Sequence, residues 1–314
     1  MIPLIKVAVI GVGFWGRNHA RVYSEIEDVE LVAVCDIDRE KSKSIAKRYG
    51  CRAYTDFREM LLVEKPDAVS ICTPTTTHFD ITSEVLNRGI HSLTEKPLCS
   101  TLEDAEKLRD LACSLGLRLM PGHIERFNPA VRKVKTLIDG GELGRIILIT
   151  ARRVSRWPER VGDVGVVKDS AIHDLDVMRF LVGDVESVYA KVGSLGHRFE
   201  DYVEAILHFK SGVTGFIEAN WLTPRRIRSL IITGSEAVVS LDYITQEVSI
   251  EDSEKVLQPT VKWEEPLMRE LRHFINTILG EEAPILTAND GVEALKICEA
   301  ILKSSYKGEK VYLG

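Results

Sequence analysis

Several things are scarce in this 314-residue sequence, and each scarcity removes a class of protein. Paired cysteines are missing: Cys35, Cys51, Cys72, Cys99, Cys113 and Cys298 stand singly in apolar or helical text, without the spacing of a zinc site or a redox dithiol. Buried, reduced thiols are the expectation. No apolar run reaches the length of a membrane span, and the opening MIPLIKVAVIGVGFWG lacks the core of a signal peptide, so the chain is expected in the cytoplasm. Basic excess is also missing. With 41 Lys and Arg against 47 Asp and Glu, the net charge is -6, so neither nucleic acid nor anionic lipid is indicated as a partner, and any anion site must be local. Two glutamines and six asparagines beside many charged residues are a bias of heat-tolerant proteins, which six cysteines oppose. Repeats and low-complexity linkers are absent as well.

What is present is a chain of 45% hydrophobic residues, long enough for two cores. Up to about residue 120, short apolar runs alternate with helical patterns: IKVAVI, VELVAVCD, AVSICTP, HSLTEKP and LRLMPG each end in a polar or proline turn. That alternation predicts βαβ units and a doubly wound parallel sheet, whose ligands collect at the carboxyl ends of the strands. After Pro121-Gly122 the character changes. A helix near 129–139 and another near 170–181 accompany period-two runs such as SVYAKVGS, DYVEAILHFK, VTGFIEANW and RSLIITGS, which predict a mainly antiparallel open sheet. Helices near 266–279 and 288–304 and a short KVYL strand close the chain. The expected division is 1–120 for a dinucleotide-binding domain and 121–314 for a substrate-binding and oligomerisation domain, with the closing helices free to pack on the first.

Gly11-Val12-Gly13-Phe14-Trp15-Gly16 follows a predicted strand, precedes a predicted helix, and is followed 20 residues past Gly16 by Asp36 at the end of the next strand. In that context the motif predicts dinucleotide binding: Gly11 for the turn, Gly13 for the approach of pyrophosphate, Gly16 for helix packing. The alternative is a chance glycine-rich turn. A carboxylate at Asp36 accepts from the ribose 2′-hydroxyl and repels a 2′-phosphate, which selects NAD; Arg39 leaves NADP as the minority possibility.

Lys96 follows the HSLTE strand, at the edge where the nicotinamide end is expected, and Pro97 restricts it to extended geometry. The plain alternative is a solvated loop lysine. On a helix, Asp169, His173 and Asp176 share one face with Phe180, opposite Ala171, Leu175, Met178 and Val182, so the stripe reads as a cleft wall or as bare solvent-facing surface. Asp176 is expected at the helix surface or in support. His78, after Thr73-Pro74, is read as touching a ligand or as structural, and Glu95 as fixing Lys96 or capping the turn. Between Arg145 and Arg160, five arginines (145, 152, 153, 156 and 160) meet one acid, Glu159. That suggests either a phosphate-bearing ligand or a strand charged for solubility. Arg126, Asn128 and Trp157 are added to the candidate substrate contacts.

With these motifs, namely the GxGxxG with Asp36, Cys72-Thr73-Pro74 with His78, Glu95-Lys96-Pro97-Leu98, Arg126-Phe127-Asn128-Pro129 and Asp169-Ser170-Ala171-Ile172-His173, the chain resembles the glucose-fructose oxidoreductase and inositol dehydrogenase family from end to end. The resemblance implies an NAD(P) domain followed by an α/β domain whose open sheet buries one face in a homodimer or homotetramer. It also implies that Phe14, Trp15, Thr73, Pro74, His78 and Glu95 line the cofactor. Lys96, Asp169 and His173 would form the catalytic set at one cleft, His173 taking the hydroxyl proton. Trp15 to His19 and the stretch 161–169 are most similar to the nucleotide-sugar branch, the UDP-N-acetylglucosamine 3-dehydrogenases. That implies a 3-keto sugar product for a later aminotransferase. Where many members carry three consecutive glycines, this chain reads Gly162-Asp163-Val164-Gly165. A free sugar or polyol dehydrogenase, and a non-catalytic NAD-binding regulator, are the competing readings.

Overall fold

A computed structural model describes residues 4–157, 162–196 and 198–314. It divides into two compact units, the first running to Gly122 and taking in Leu267–Val292, the second comprising His123–Pro266 and Glu293–Gly314.

The first unit is built on six parallel strands. In chain order its elements are β1 (Ile5–Ile10), α1 (Phe14–Glu25), β2 (Val29–Cys35), α2 (Arg39–Tyr49), β3 (Arg52–Tyr54), α3 (Phe57–Glu64), β4 (Ala68–Ile71), α4 (His78–Asn87), β5 (His91–Glu95), α5 (Leu102–Leu115) and β6 (Leu119–Gly122). The strands lie in the order β3-β2-β1-β4-β5-β6, the doubly wound arrangement whose switch point falls between β1 and β4. The central strands are covered on both faces: Val7, Ala8 and Val9 of β1 and all four residues of β4 are buried. Local signals set the helix ends, Asp38 accepting from the backbone N–H groups of Glu40 and Lys41 at the start of α2, and Gly50 closing it with φ 73°. Two elements escaped the sequence reading. β3 is only three residues long and half-exposed, and α3 turns just two residues, Met60 and Leu61, fully inward, so neither carries a strong period.

The second unit starts with a 3₁₀ turn, Ile124–Phe127, and α6 (Pro129–Asp139), capped by the Asn128 side chain, which accepts from Ala130 N with Pro129 at the first helical position. Then come β7 (Ile146–Arg156), a π-helical turn Val167–Ala171 running into α7 (Ile172–Val182), and the strands β8 (Val185–Gly193), β9 (Tyr202–Phe209), β10 (Thr214–Asn220), β11 (Leu222–Gly234), β12 (Val238–Asp242), β13 (Val248–Glu251) and β14 (Val256–Leu257). The helices α8 (Pro266–Leu279) and α9 (Ala288–Lys307) precede β15 (Val311–Tyr312), so the last helix runs three residues past its predicted end. The described strands form one nine-stranded sheet, β14-β13-β12-β11-β7-β10-β9-β8-β15. It is mainly antiparallel, as predicted, but mixed: β10 lies parallel to β7, because β7 is inserted between β11 and β10 after a long excursion in sequence. One face packs a core of Ile149, Ala151, Ala205, Leu207, Ile217 and Leu230 with α6, α7 and the latter part of α9. No described helix is long and apolar enough to cross a membrane.

None of the six cysteines is in a disulfide. Cys35, Cys99 and Cys298 are buried as expected, but Cys113 is exposed and Cys51 and Cys72 are half-buried, since α5 and the strand ends present one face to solvent.

Candidate active site

The glycine motif sits between β1 and α1, and its three glycines meet three different surroundings. At Gly11, with φ 84°, a Cβ would lie 2.8 Å from the Cys72 backbone, and at Gly16 it would lie 1.7 Å from the carbonyl oxygen of Gly11. Both are forced to be glycine by the protein itself. At Gly13 a Cβ would meet nothing within 4 Å, so the space over this glycine is open for a ligand. Gly13 is also the N-cap of α1, without a side-chain cap and without an acid in the first turn, which leaves N–H groups of the helix start for an anion. Phe14 is half-exposed, edge-on to Trp15 at 5.7 Å, with the Arg17 guanidinium 5.1 Å from its ring.

Asp36, at the end of β2, turns both carboxylate oxygens inward: Oδ2 accepts from Val12 N at 2.9 Å and Oδ1 from Asp38 N at 2.9 Å. It therefore braces the glycine loop while standing at the edge where a ribose would lie. The cradle thus fits NAD: glycines where a backbone must come close, open space at the helix start, and a carboxylate on the next strand.

At the ends of β4 and β5, Thr73, Pro74, His78, Glu95 and Lys96 come together. His78 is buried and its two ring nitrogens face carbonyl oxygens, Nδ1 that of Pro97 and Nε2 that of Thr73, each at 3.0 Å. Its structural reading is the one these contacts describe: it ties the two loops to each other and presents neither nitrogen to a ligand. Thr73 accepts from the Thr77 hydroxyl at 2.8 Å, and Pro74 leads the 3₁₀ turn Thr75–Thr77. Lys96 is half-buried directly after β5, and its peptide bond to Pro97 is cis. Its backbone N–H donates to Glu95 Oε2 at 3.2 Å, while Glu95 Oε1 faces Nε2 of the fully buried His19 at 3.0 Å. Burial works against ionisation of Glu95, but the His19 hydrogen bond, the electrostatic pull of His19 and the Lys96 charge outweigh it and hold the carboxyl below its ordinary range. Glu95 thus accepts the Lys96 backbone N–H with one oxygen and faces His19 with the other.

In the second unit, Asp169 lies in the π turn and His173 in the first turn of α7, both half-buried. Glu200 shapes this turn from outside: Val166 N donates to its carbonyl, Val167 N to its carboxylate, and a Cβ on Gly165 would fall 2.2 Å from the same carboxyl group. The buried indole N–H of Trp221 donates to Ser170 Oγ at 3.1 Å, and Ser170 Oγ lies 3.4 Å from Asp169 Oδ2. Trp221 also packs 5.6 Å from the Trp157 ring.

The C-terminal half of the polar stripe departs from expectation. Asp176 is neither surface nor solvent-facing: it is buried, with Arg126 bidentate on it at 2.7 and 2.8 Å and Phe180 under the Arg126 guanidinium at 5.2 Å. An ion pair this complete occupies Arg126, which anchors α7 rather than offering itself to phosphate. Arg153 is corrected in the same way. It is buried on Asp174 at 2.6 Å and Glu125 at 3.1 Å, where the two carboxylates outweigh burial and push its pKa further up. Asn128 caps α6 and donates to the Tyr243 carbonyl at 3.0 Å, so it too is structural. Arg152 is exposed and bound to Glu218 at 2.7 Å. Each correction has one cause: the acids that neutralise these arginines are distant in sequence or lie on a helix face that its period marks as exposed. Arg156 and Trp157 are exposed at the end of β7, and Arg160 with Glu159 lies outside the described residues. Opposite Ser155, residues 223–226 of β11 bulge out of register and carry the exposed Arg225 and Arg226, which the sequence reading missed. The three neighbouring arginines 225, 226 and 228 were the signal that could have found them.

Residues 5–123 match the oxidoreductase family with NAD-binding Rossmann fold, Gfo/Idh/MocA, and residues 131–240 match the Gfo/Idh/MocA C-terminal domain. The chain belongs to this family. It is an NAD-dependent dehydrogenase of the sugar or polyol type. It is 30% identical to an inositol 2-dehydrogenase of Rhizobium meliloti, over 96% of each chain. It is 29% identical to a UDP-N-acetylglucosamine 3-dehydrogenase of Acidithiobacillus ferrooxidans, over 95% of this chain and 96% of that one. A solved structure of the latter enzyme superposes with TM-score 0.89 at 27% identity, covering 98% of this chain and 99% of that one.

Proposed function

We propose that this dehydrogenase acts on a UDP-sugar, oxidising C3 of UDP-N-acetylglucosamine, and that Lys96, Asp169 and His173 carry the chemistry. The observation that carries the reading is Lys96 itself: a half-buried lysine at the carboxyl end of β5, its backbone N–H held by the part-buried Glu95 carboxylate, on the sheet edge that bears the glycine cradle. NAD, when bound, supplies the hydride acceptor. The Lys96 ammonium hydrogen-bonds the reacting hydroxyl oxygen and stabilises negative charge as the proton leaves. His173 takes that proton, and Asp169, held by Ser170 and Trp221, orients the imidazole and stabilises it when charged.

Support for the nucleotide part comes from Arg156, Arg225 and Arg226, for which no carboxylate partner stands among the described residues, beside the exposed part of Trp157. Arginine clusters of this kind suit a diphosphate, and an indole face suits a base. The relative that acts on UDP-N-acetylglucosamine supports the same choice. The inositol dehydrogenase relative supports a second reading, an unphosphorylated sugar or polyol. A panel of UDP-N-acetylglucosamine, N-acetylglucosamine and myo-inositol, followed by nicotinamide reduction, separates the two. The nucleotide sugar should turn over and UDP should compete; turnover of myo-inositol without inhibition by UDP would reverse the choice, and no reduction with any of them would favour a non-catalytic regulator. The 3-keto product suits a following aminotransferase.

We also propose a homo-oligomer. Across the outer face of the nine-stranded sheet, Ile231, Thr150, Phe216, Ile206 and Tyr189 stand in register on five neighbouring strands. Three of them, Ile231, Phe216 and Tyr189, are 40 to 50% exposed. A second copy of the chain is the occupant this mostly apolar row suits.

A further inference from the structure

Behind Lys96, three buried polar groups of the first unit form a chain that ends on the part-buried Glu95. Tyr23 and His19 stand four residues apart on the inward face of α1, and Ser70 lies between them on β4; all three are fully buried. The Tyr23 hydroxyl is 2.8 Å from Ser70 Oγ, Ser70 Oγ is 3.1 Å from His19 Nδ1, and His19 Nε2 is 3.0 Å from Glu95 Oε1. An ionised carboxylate only accepts, so Nε2 must carry the hydrogen at the Glu95 end. In the neutral imidazole Nδ1 is then the acceptor, Ser70 donates to it, and Ser70 accepts in turn from Tyr23. Every hydrogen is used once. Burial pushes the Tyr23 hydroxyl far above its ordinary pKa, which keeps it a donor.

We propose that His19 is a positioning residue for Lys96: Tyr23 and Ser70 fix its tautomer, and its Nε2–H holds Glu95 in the orientation in which the other carboxylate oxygen receives the Lys96 N–H. The inference rests on the reading of Lys96 as catalytic. Gly122 of β6, in register with Glu95, completes the seat: a Cβ there would lie 3.0 Å from Glu95 Cα and from Oε2 and would press on the carboxylate. The ionisable groups around the chain are Lys96 beside Glu95, Cys72 at the end of β4, whose thiol burial and the Glu95 charge hold well above its ordinary pKa, and the buried Glu270 of α8, whose charge acts on Cys72 and Tyr23.

Because Glu95 titrates below its ordinary value in the folded chain, its stabilising contribution is complete above the ordinary carboxyl range and is lost as pH falls through the depressed value. The test is a carbon-13 NMR titration of the Glu95 carboxyl in the full chain, assigned with E95Q, in wild type, H19L, H19Q and S70A. H19L should raise the Glu95 midpoint by about one pH unit or more, since only Lys96 then opposes burial, whereas H19Q, whose amide N–H reaches the same place, should restore most of it. S70A should give a smaller rise and serves if H19L does not fold. The acid limb of kcat/KM should move upward in the same order. An unchanged midpoint in H19L and S70A, or H19Q behaving as H19L does, overturns the proposal. The titration needs no substrate, so it stands or falls apart from the role of Lys96, which K96M turnover decides.

Discussion

At the scale of single residues, the sequence shows the chemistry of a side chain more readily than its partners. Asp36 was legible because its spacing from Gly16 is short and only the rest of α1 and the strand β2 lie between them. Its place at the end of β2 follows from that spacing, although its two bonds to backbone N–H groups do not. Those bonds give it two tasks, so D36A should both lower NAD affinity by roughly tenfold to a hundredfold, the scale of one charge-assisted hydrogen bond, and narrow the preference over NADP. Equilibrium titration of both cofactors checks this, and an unchanged NAD-to-NADP ratio would deny Asp36 its selecting role. His19 was not legible in this sense. Its partners Ser70 and Glu95 lie 51 and 76 residues away, and a lone histidine on a helix carries no sign of what it will meet.

At the scale of elements, periodicity located every long helix and failed where a side chain pays for burial with a partner from another element. Asp176 shares a stripe with Asp169 and His173, and by helical spacing alone the stripe is uniform. In the fold Arg126 turns its lower half into the interior, and the π turn at Val167–Ala171 shifts Asp169 relative to α7. Replacing Arg126 by Met leaves Asp176 charged and buried, which should cost about 3 kcal/mol or more of unfolding free energy while KM for any UDP-sugar changes little in the protein that remains folded. Urea denaturation with parallel kinetics decides it; a large KM change with unaltered stability would return Arg126 to the substrate.

The glycine loop offers a second test at this scale, because its glycines are forced by different neighbours. Gly16→Ala should destabilise the first unit, since the new Cβ meets the Gly11 carbonyl at 1.7 Å, and Gly13→Ala should fold normally and lose NAD. Thermal melts with and without NAD distinguish the two. Equal effects from both substitutions would mean that Gly13 is packed by protein and not by the cofactor.

At the scale of the whole molecule, the doubly wound sheet and the mainly antiparallel second sheet were both legible, because strand and helix periods run long and turns are marked by glycine and proline. Strand order within the second sheet was not. The insertion of β7 between β11 and β10 depends on pairing residues more than 60 positions apart, such as Ala151 with Ile217, and no local period encodes it. That same pairing lines up Ile231, Phe216 and Tyr189 on the outer face. If that row joins two copies as proposed, a charge in its middle should separate them, so sedimentation equilibrium of F216K should give a monomer while the wild type gives a multiple of it. Equal masses would free that face for another occupant.

The central claim is hydride transfer from a sugar carbon of a nucleotide sugar to NAD, and an isotope can follow it. UDP-N-acetylglucosamine carrying deuterium at C3 is incubated with the enzyme and NAD, and the reduced nicotinamide is analysed by mass spectrometry. One deuterium is expected in the NADH that forms, and none when the label is placed at another sugar carbon. NADH formed without deuterium from the C3-labelled substrate would contradict it.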